Sequence, residues 1–242
     1  MSPSPRAVMS LKPASASPDT RMPLGLTLLV AFIAIVETVL SLSDRGILGF
    51  PMLRAQLFET GAFWTVFLHG APPIFSWQPV TMFVSHSLLH GGMLHMVMNM
   101  AILLALGRFT ADLYGPGVVL PSFLICAIAG GAVFGLLSNS PYPMVGASGA
   151  VFGFLGIWTA WDWWRHRAAQ VSTSPVWRRI AVLAGLNVLL YYGLGGLLAW
   201  EAHLGGFLAG LGIGLLLESR HAAIVREARA RERHERPGAP RD

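Results

Sequence analysis

The chain has 242 residues, 54% hydrophobic and only 12% charged, about half the charge of an ordinary soluble domain. That composition excludes a soluble globular protein and points to one embedded in a bilayer. The net charge of +5 calls for no nucleic-acid partner, because the basic residues sort by side of the membrane.

In chain order, residues 1–22 are rich in Ser and Pro and read as a disordered cytoplasmic tail. Six apolar runs follow, each of roughly 17–22 residues, the length a bilayer core requires. They fall near Leu24–Leu42, Gly92–Ala111, Gly117–Leu137, Ser148–Trp164, Ile180–Leu198 and Ala202–Leu217. The first is long and lacks a small-residue cleavage pattern, so it reads as a retained helix and not a signal peptide. The expected organisation is a tail at 1–22, an all-α membrane domain of six spans at 23–219, and a basic cytoplasmic tail at 220–242. Cys126, the single cysteine, lies in the third run and can form no internal disulfide.

Basic residues set the orientation. With the N-terminus in the cytoplasm, the inner segments hold Arg6, Lys12, Arg21, Arg108, Arg165, Arg167, Arg178, Arg179 and seven arginines after Leu217. The outer segments hold only Arg45 and Arg54. This is a strong positive-inside bias, with both termini cytoplasmic. The connection from about Ser43 to Gly91 then lies outside. Its Phe63, Trp64, Phe67, Phe75 and Trp77 make it too apolar for a free loop, so short helices at the membrane interface are predicted. Glu37, near the outer end of the first run, reads as a carboxylate reaching for that interface.

His95 and Asn99 are four apart and share a helix face. Polar groups on one stripe of a span are costly unless they face the protein interior or a wet cavity, so the pair reads as an interhelical clamp or as part of a site. His86, His90 and His95 raise the idea of zinc. No His-Glu-x-x-His is present, and no carboxylate or cysteine lies nearby to complete a ligand set, so no metal and no cofactor are expected. Ser148 opens the fourth run inside Val145-Gly146-Ala147-Ser148-Gly149-Ala150-Val151-Phe152-Gly153. It is either a nucleophile or one more small residue that lets helices pack closely in lipid. Gly149, Gly153 and Gly156 form a smooth strip beside it. Asn187 in the fifth run reads as a helix-to-helix hydrogen bond without catalytic duty. In the sixth, His203 heads a face of Gly206, Gly210 and Gly214.

Topology brings these residues together. The second, fourth and sixth runs all point inward, so Ser148 and His203 stand at the outer ends of theirs. His95 and Asn99 lie in the outer half of the second. Four polar residues distant in sequence fall at one depth and supply a nucleophile, a base and oxyanion donors, the parts of an acyl-transfer site.

At these residues the chain resembles the rhomboid intramembrane serine proteases. The matching motifs are His90-x4-His95-x3-Asn99, Gly146-Ala147-Ser148-Gly149 and Ala202-His203-x2-Gly206-x3-Gly210. The resemblance covers about residues 24–217. It implies a rhomboid-like six-transmembrane bundle with a large membrane-interface first loop, in a multi-pass protein of the bacterial cytoplasmic membrane. Further implied are a Ser148–His203 dyad without a third carboxylate, oxyanion stabilisation by His95 and Asn99, and cleavage of transmembrane segments of single-pass substrates. His86 and His90 match histidines that precede the family's second span. Two departures stand out. Phe152 occupies a position where the family often has tyrosine, which keeps stacking on the histidine and loses a hydroxyl. Ala111, followed by Asp112, stands where a cytoplasmic-side glutamate is common.

Three other readings compete. A catalytically inactive rhomboid-like binding factor would usually lack the serine or the histidine, and this chain keeps both. A transporter would fit polar groups at mid-depth, yet no inverted repeat is visible, and the carboxylates Glu37 and Asp162 lie towards the ends of their spans. An α/β-hydrolase elbow requires Gly-x-Ser-x-Gly, and residue 150 is Ala.

Overall fold

A computed structural model of the chain describes residues 21–235. Most of the segment assigned to the N-terminal tail, and the final seven residues, therefore lie outside the described residues. The helices are α1 (Leu24–Asp44), α2 (Leu53–Gly61), α3 (Gln78–Ser85), α4 (Met93–Tyr114), α5 (Val119–Leu137), α6 (Ser148–Ala168), α7 (Ser174–Gly193) and α8 (Trp200–Glu235). Among the described residues there is no strand, only an isolated antiparallel bridge between Phe63 and Met144. The all-α expectation is met.

Six of the helices are long. Four have both the length and the apolarity to cross a membrane: α1, α4, α5 with its preceding turn, and Trp200–Ile224 of α8. The other two, α6 and α7, have 21 and 20 residues and stand where the fourth and fifth spans were expected. Tryptophans and small residues dilute their apolarity, as do charges such as Asp162, Arg165, Arg178 and Arg179. Two bounds differ from the hydropathy reading. α7 begins before Ile180 and stops short of Leu198, because Gly195 and Gly196 take φ +62° and +82°, a left-handed turn that closes the helix. α8 does not stop at Leu217 but continues unbroken to Glu235, through much of the segment assigned to a tail.

The centre of the molecule is α6, with Gly149, Ala150, Val151, Gly153, Phe154, Gly156, Ile157, Thr159 and Ala160 all buried. On one side it meets an apolar core from α1, α4 and α5 that includes Leu26, Ile33, Leu103, Phe123 and Cys126. On another it meets α8 along the most extensive helix contact in the molecule. There the two glycine strips face each other. A Cβ on Gly206 would collide with the Gly149 carbonyl, and one on Gly210 with the Gly153 carbonyl. Lipid tails are as apolar as leucine, so close van der Waals approach of small residues does the work that burial from water does in soluble proteins.

At the edge of the bundle, α7 buries only Val176. Its N-terminal end is tied down by Arg179, whose Nη2 lies 2.8 Å from Asp162 Oδ2 and whose guanidinium sits 3.9 Å over the Trp158 ring. At the same end of the bundle, the Tyr114 hydroxyl donates to the Glu218 carboxylate. This links α4 to α8 near the position where the family's glutamate is replaced by Ala111.

The outer connection is helical, as expected, but it is more deeply packed than an interfacial loop. Phe75 and Trp77 are exposed, whereas Phe63 is fully buried with Met82, Phe134, Met144 and Ala202. Phe63 and Met144 exchange two backbone hydrogen bonds of 2.9 Å, which fasten the connection to the loop before α6. A second fastening corrects the reading of Glu37. Its side chain is 1% exposed and receives Arg54 on both oxygens, at 2.9 and 3.1 Å. Arg54 also donates to Asp44 at 2.7 Å and to the His90 carbonyl at 2.7 Å. Burial makes snorkelling impossible, and an ion pair replaces it. Removing one partner of a buried pair leaves an uncompensated charge. Arg54→Ala is therefore expected to lower stability by about 3 kcal/mol, read as a fall in the unfolding midpoint in detergent.

Candidate active site

Ser148 is the first residue of α6. Main-chain bonds to two histidines hold the loop before it. Gly146 N–H donates to the His86 carbonyl at 2.9 Å, and Ala147 N–H donates to His90 Nε2 at 3.3 Å. His86 is itself fixed by Nδ1–H to the Met82 carbonyl at 2.8 Å. These two histidines thus shape the serine loop. The first helical bond of α6 is Val151 N–H to the Ala147 carbonyl, which leaves the amides at the helix start without intrahelical acceptors. No side chain caps them. A ready site for a developing negative charge lies beside the serine hydroxyl.

His203 enters from α8. Its Nε2 lies 2.8 Å from Ser148 Oγ, and its ring stacks on Phe152 at 4.2 Å between centroids with 6° between planes. The stack and the tight α6–α8 contact hold the imidazole against the hydroxyl. His203 is buried and Ser148 half-buried. For Nε2 to accept the serine proton, the ring's own proton must sit on Nδ1. That atom lies 2.6 Å from Asn187 Oδ1 on α7.

His95 Nδ1 accepts the Gly91 N–H at 3.4 Å, which leaves Nε2 to carry the proton. The geometry around Gly146 shows where that donor sits. A Cβ there would stand 2.8 Å from His95 Cε1, 3.0 Å from His95 Nε2 and 3.8 Å from Ser148 Oγ. The imidazole edge and the hydroxyl thus border one small space, kept open by the absence of a side chain. Asn99 lies a turn further in and is buried. One of its Nδ2 hydrogens is given to the His95 carbonyl at 2.9 Å, and the second remains available. Because Gly146 also takes φ +127°, Gly146→Ala forces both a strained backbone and a clash with His95. A displacement of about 1 Å at a reacting centre costs about 10²-fold in rate, so a loss of that order is expected in a cleavage assay of the folded variant.

Of the four residues singled out in the sequence, Ser148, His203 and His95 therefore come together at the N-terminal ends of α6, α8 and α4, and Asn99 lies one turn along α4 from His95. Asn187 does make a helix-to-helix hydrogen bond, and the partner, which the sequence did not name, is His203. The signal was available. α7 runs antiparallel to α6 and α8, so a lone asparagine in its C-terminal half reaches the level of the other polar residues. Beside it, α6, α7 and α8 enclose an apolar groove of about 600 Å³ lined by Phe152, Leu183, Tyr191, Trp200, His203 and Phe207 among others. Among the described residues no group of three His, Cys, Asp or Glu side chains converges as a metal site.

Comparison with known proteins gives the family. A Rhomboid domain model matches residues 77–220. The chain is 34% identical over 134 residues to RHOMBOID-like protein 4 of Arabidopsis thaliana, covering 53% of this chain and 32% of that one. It is 31% identical over 162 residues to Rhomboid-like protease 3 of Toxoplasma gondii, covering 62% and 57%. To Rhomboid protease GluP of Bacillus subtilis it is 40% identical over 68 residues, covering 28% and 13%. The chain thus spans well under two thirds of the length of each of these relatives. They come from a plant, a parasite and a bacterium, and so do not single out the bacterial inner membrane. With more than half the chain matched by the family model, and with its apolar helices arranged as described, the protein belongs to the Rhomboid family of multi-pass membrane proteins.

Proposed function

We propose that the protein is an intramembrane serine endopeptidase that hydrolyses peptide bonds in or near transmembrane segments of single-pass proteins. One observation carries the reading: His203 Nε2 lies 2.8 Å from Ser148 Oγ, at the start of a helix whose first amides are uncapped. Ser148 Oγ attacks the scissile carbonyl while His203 Nε2 takes its proton. The oxyanion of the tetrahedral intermediate is met by the Ser148 N–H, by His95 Nε2–H and by the free Asn99 Nδ2–H. The intermediate collapses as His203 returns the proton to the leaving amine, giving an acyl-enzyme. Water, deprotonated by His203, releases the acid and restores the hydroxyl. A substrate helix hides its amides in its own hydrogen bonds, so the favoured targets carry Gly, Pro or small residues that unwind near the outer interface. The positive-inside asymmetry supports cytoplasmic termini and an outward-facing site.

The test uses purified protein in liposomes with a single-pass reporter whose span contains such residues. Cleavage indifferent to a metal chelator, together with covalent labelling of Ser148 by a fluorophosphonate that fails in His203→Ala, is the expected result. A folded protein that neither cuts any of several reporters nor takes the label would overturn the reading in favour of a membrane-protein binding factor.

A further inference from the structure

The Ser148–His203 pair has a third partner that no carboxylate supplies. We infer that Asn187 is a positioning residue: through its side-chain carbonyl it holds the His203 proton on Nδ1 and so keeps Nε2 free to accept from Ser148. The inference rests on the protease reading for its consequence in rate, but not for its geometry.

Three features carry it. First, Asn187 Oδ1 stands 2.6 Å from His203 Nδ1 while His203 Nε2 stands 2.8 Å from Ser148 Oγ, so the chain Asn187–His203–Ser148 is continuous. Second, the amide cannot be read the other way round. Asn187 Nδ2 donates to the Leu183 carbonyl at 3.0 Å, one turn back on its own helix, and the opposite arm of the amide is then the oxygen. An acceptor aimed at Nδ1 selects the tautomer that a general base requires, the role that a carboxylate plays in three-residue serine hydrolases. Third, the acceptor is neutral. The groove around it is apolar, and an amide there avoids the cost of putting a second charge next to the imidazole in lipid.

The helix that carries Asn187 gives the contact a further meaning. α7 is fastened at its N-terminal end by Val176 and Arg179. In its C-terminal half, the bond to His203 is its one side-chain hydrogen bond to another helix among those described. Outward movement of that half, which would widen the groove, necessarily releases Nδ1. The imidazole, still stacked on Phe152, then lacks the acceptor that fixes its proton on Nδ1, and in the Nε2–H tautomer it cannot serve the serine as base. Opening of α7 and readiness of the dyad are thus linked through one hydrogen bond, with attack favoured only once α7 has closed again.

The experiment combines kinetics with a direct view of the imidazole, using the full-length protein in liposomes. Histidines are labelled with ¹⁵N, and the His203 resonance is assigned by its loss in His203→Ala. In the wild type, His203 is expected as the Nδ1–H tautomer; in Asn187→Leu, as a mixture of the two. Cleavage by Asn187→Leu should fall by about 10–100-fold in kcat with KM changed less than about threefold, because the residue stabilises the reacting arrangement and not the bound substrate. Asn187→Asp, which restores an acceptor, should recover most of the lost kcat, a rescue that a merely structural role would not give. An unchanged His203 tautomer and unchanged kcat in Asn187→Leu would overturn the inference. So would a loss shared equally by Asn187→Leu and Asn187→Asp at unaltered tautomer. Should the wild type cut nothing while the tautomer still responds to Asn187, the protease reading fails and the positioning of His203 by Asn187 stands.

Discussion

Cleavage by Ser148→Ala is expected to fall by about 10⁵-fold or more, below detection, in a protein that still folds. Removing the nucleophile of a serine hydrolase leaves only what binding and oxyanion donors give, a residue of about 10³–10⁴ over water. The hydroxyl's one hydrogen bond among the described residues runs to His203, so its loss should cost only about 1 kcal/mol of stability. His203→Ala should match it in rate. The double variant should be no worse than either alone, because the two groups act as a unit and their effects do not add. The measurement is single-turnover cleavage of a liposome-embedded reporter beside a thermal unfolding curve of each variant. Cleavage within tenfold of wild type in Ser148→Ala would assign the nucleophile elsewhere.

The second large effect concerns stability and reaches the chemistry through it. In Gly206→Val, a branched side chain would have to enter the space now filled by the Gly149 carbonyl and Cα. The obstacle is backbone and not a flexible side chain, so neither helix can yield by changing a rotamer. Overpacking typically costs about 1–3 kcal/mol where neighbours can shift, and here the upper end or more is expected. α8 must tilt or slide away from α6, and His203, one turn before Gly206, moves with it. A separation of about 1 Å is enough to cost about 10²-fold in rate, so the surviving folded fraction should also be nearly inactive. The contrast with Gly212, where a Cβ would meet nothing within 4 Å, supplies the control: Gly212→Ala should leave the unfolding midpoint close to that of the wild type. Equal midpoints for Gly206→Val and Gly212→Ala would contradict the packing described.

Much of this arrangement was legible in the sequence because small residues at helical spacing carry two messages at once. The strips Gly149-Gly153-Gly156 and Gly206-Gly210-Gly214 announced close helix contact, and the serine and histidine at their heads were carried into register by that contact. Depth did the rest for His95 and Asn99. What escaped depended on partners that periodicity does not name. Glu37 looked like a residue seeking water because its counter-ion lay 17 positions away on a short helix of the outer connection. Asn187 read as a helix-to-helix hydrogen bond, but its partner, beyond a glycine turn, could not be named. The bounds of α7 were misplaced because Leu194, Leu197 and Leu198 read as a continuing apolar run, although the glycines between them reverse the backbone.

The bridge between Phe63 and Met144 divides the outer connection into two unequal halves under mutation. An inserted or deleted residue directly beside Phe63, or between Met144 and Ser148, would change which backbone groups face each other. It is then paid in the register of the serine loop. The stretch from Gly70 to Trp77 touches neither anchor and is largely exposed, so it can lengthen, shorten or change sequence without the nucleophile registering it. Under the proposed activity, variation in how a substrate first meets the protein is thereby separated from the geometry of the serine and histidine. Two main-chain hydrogen bonds mark where the one freedom ends and the other constraint begins.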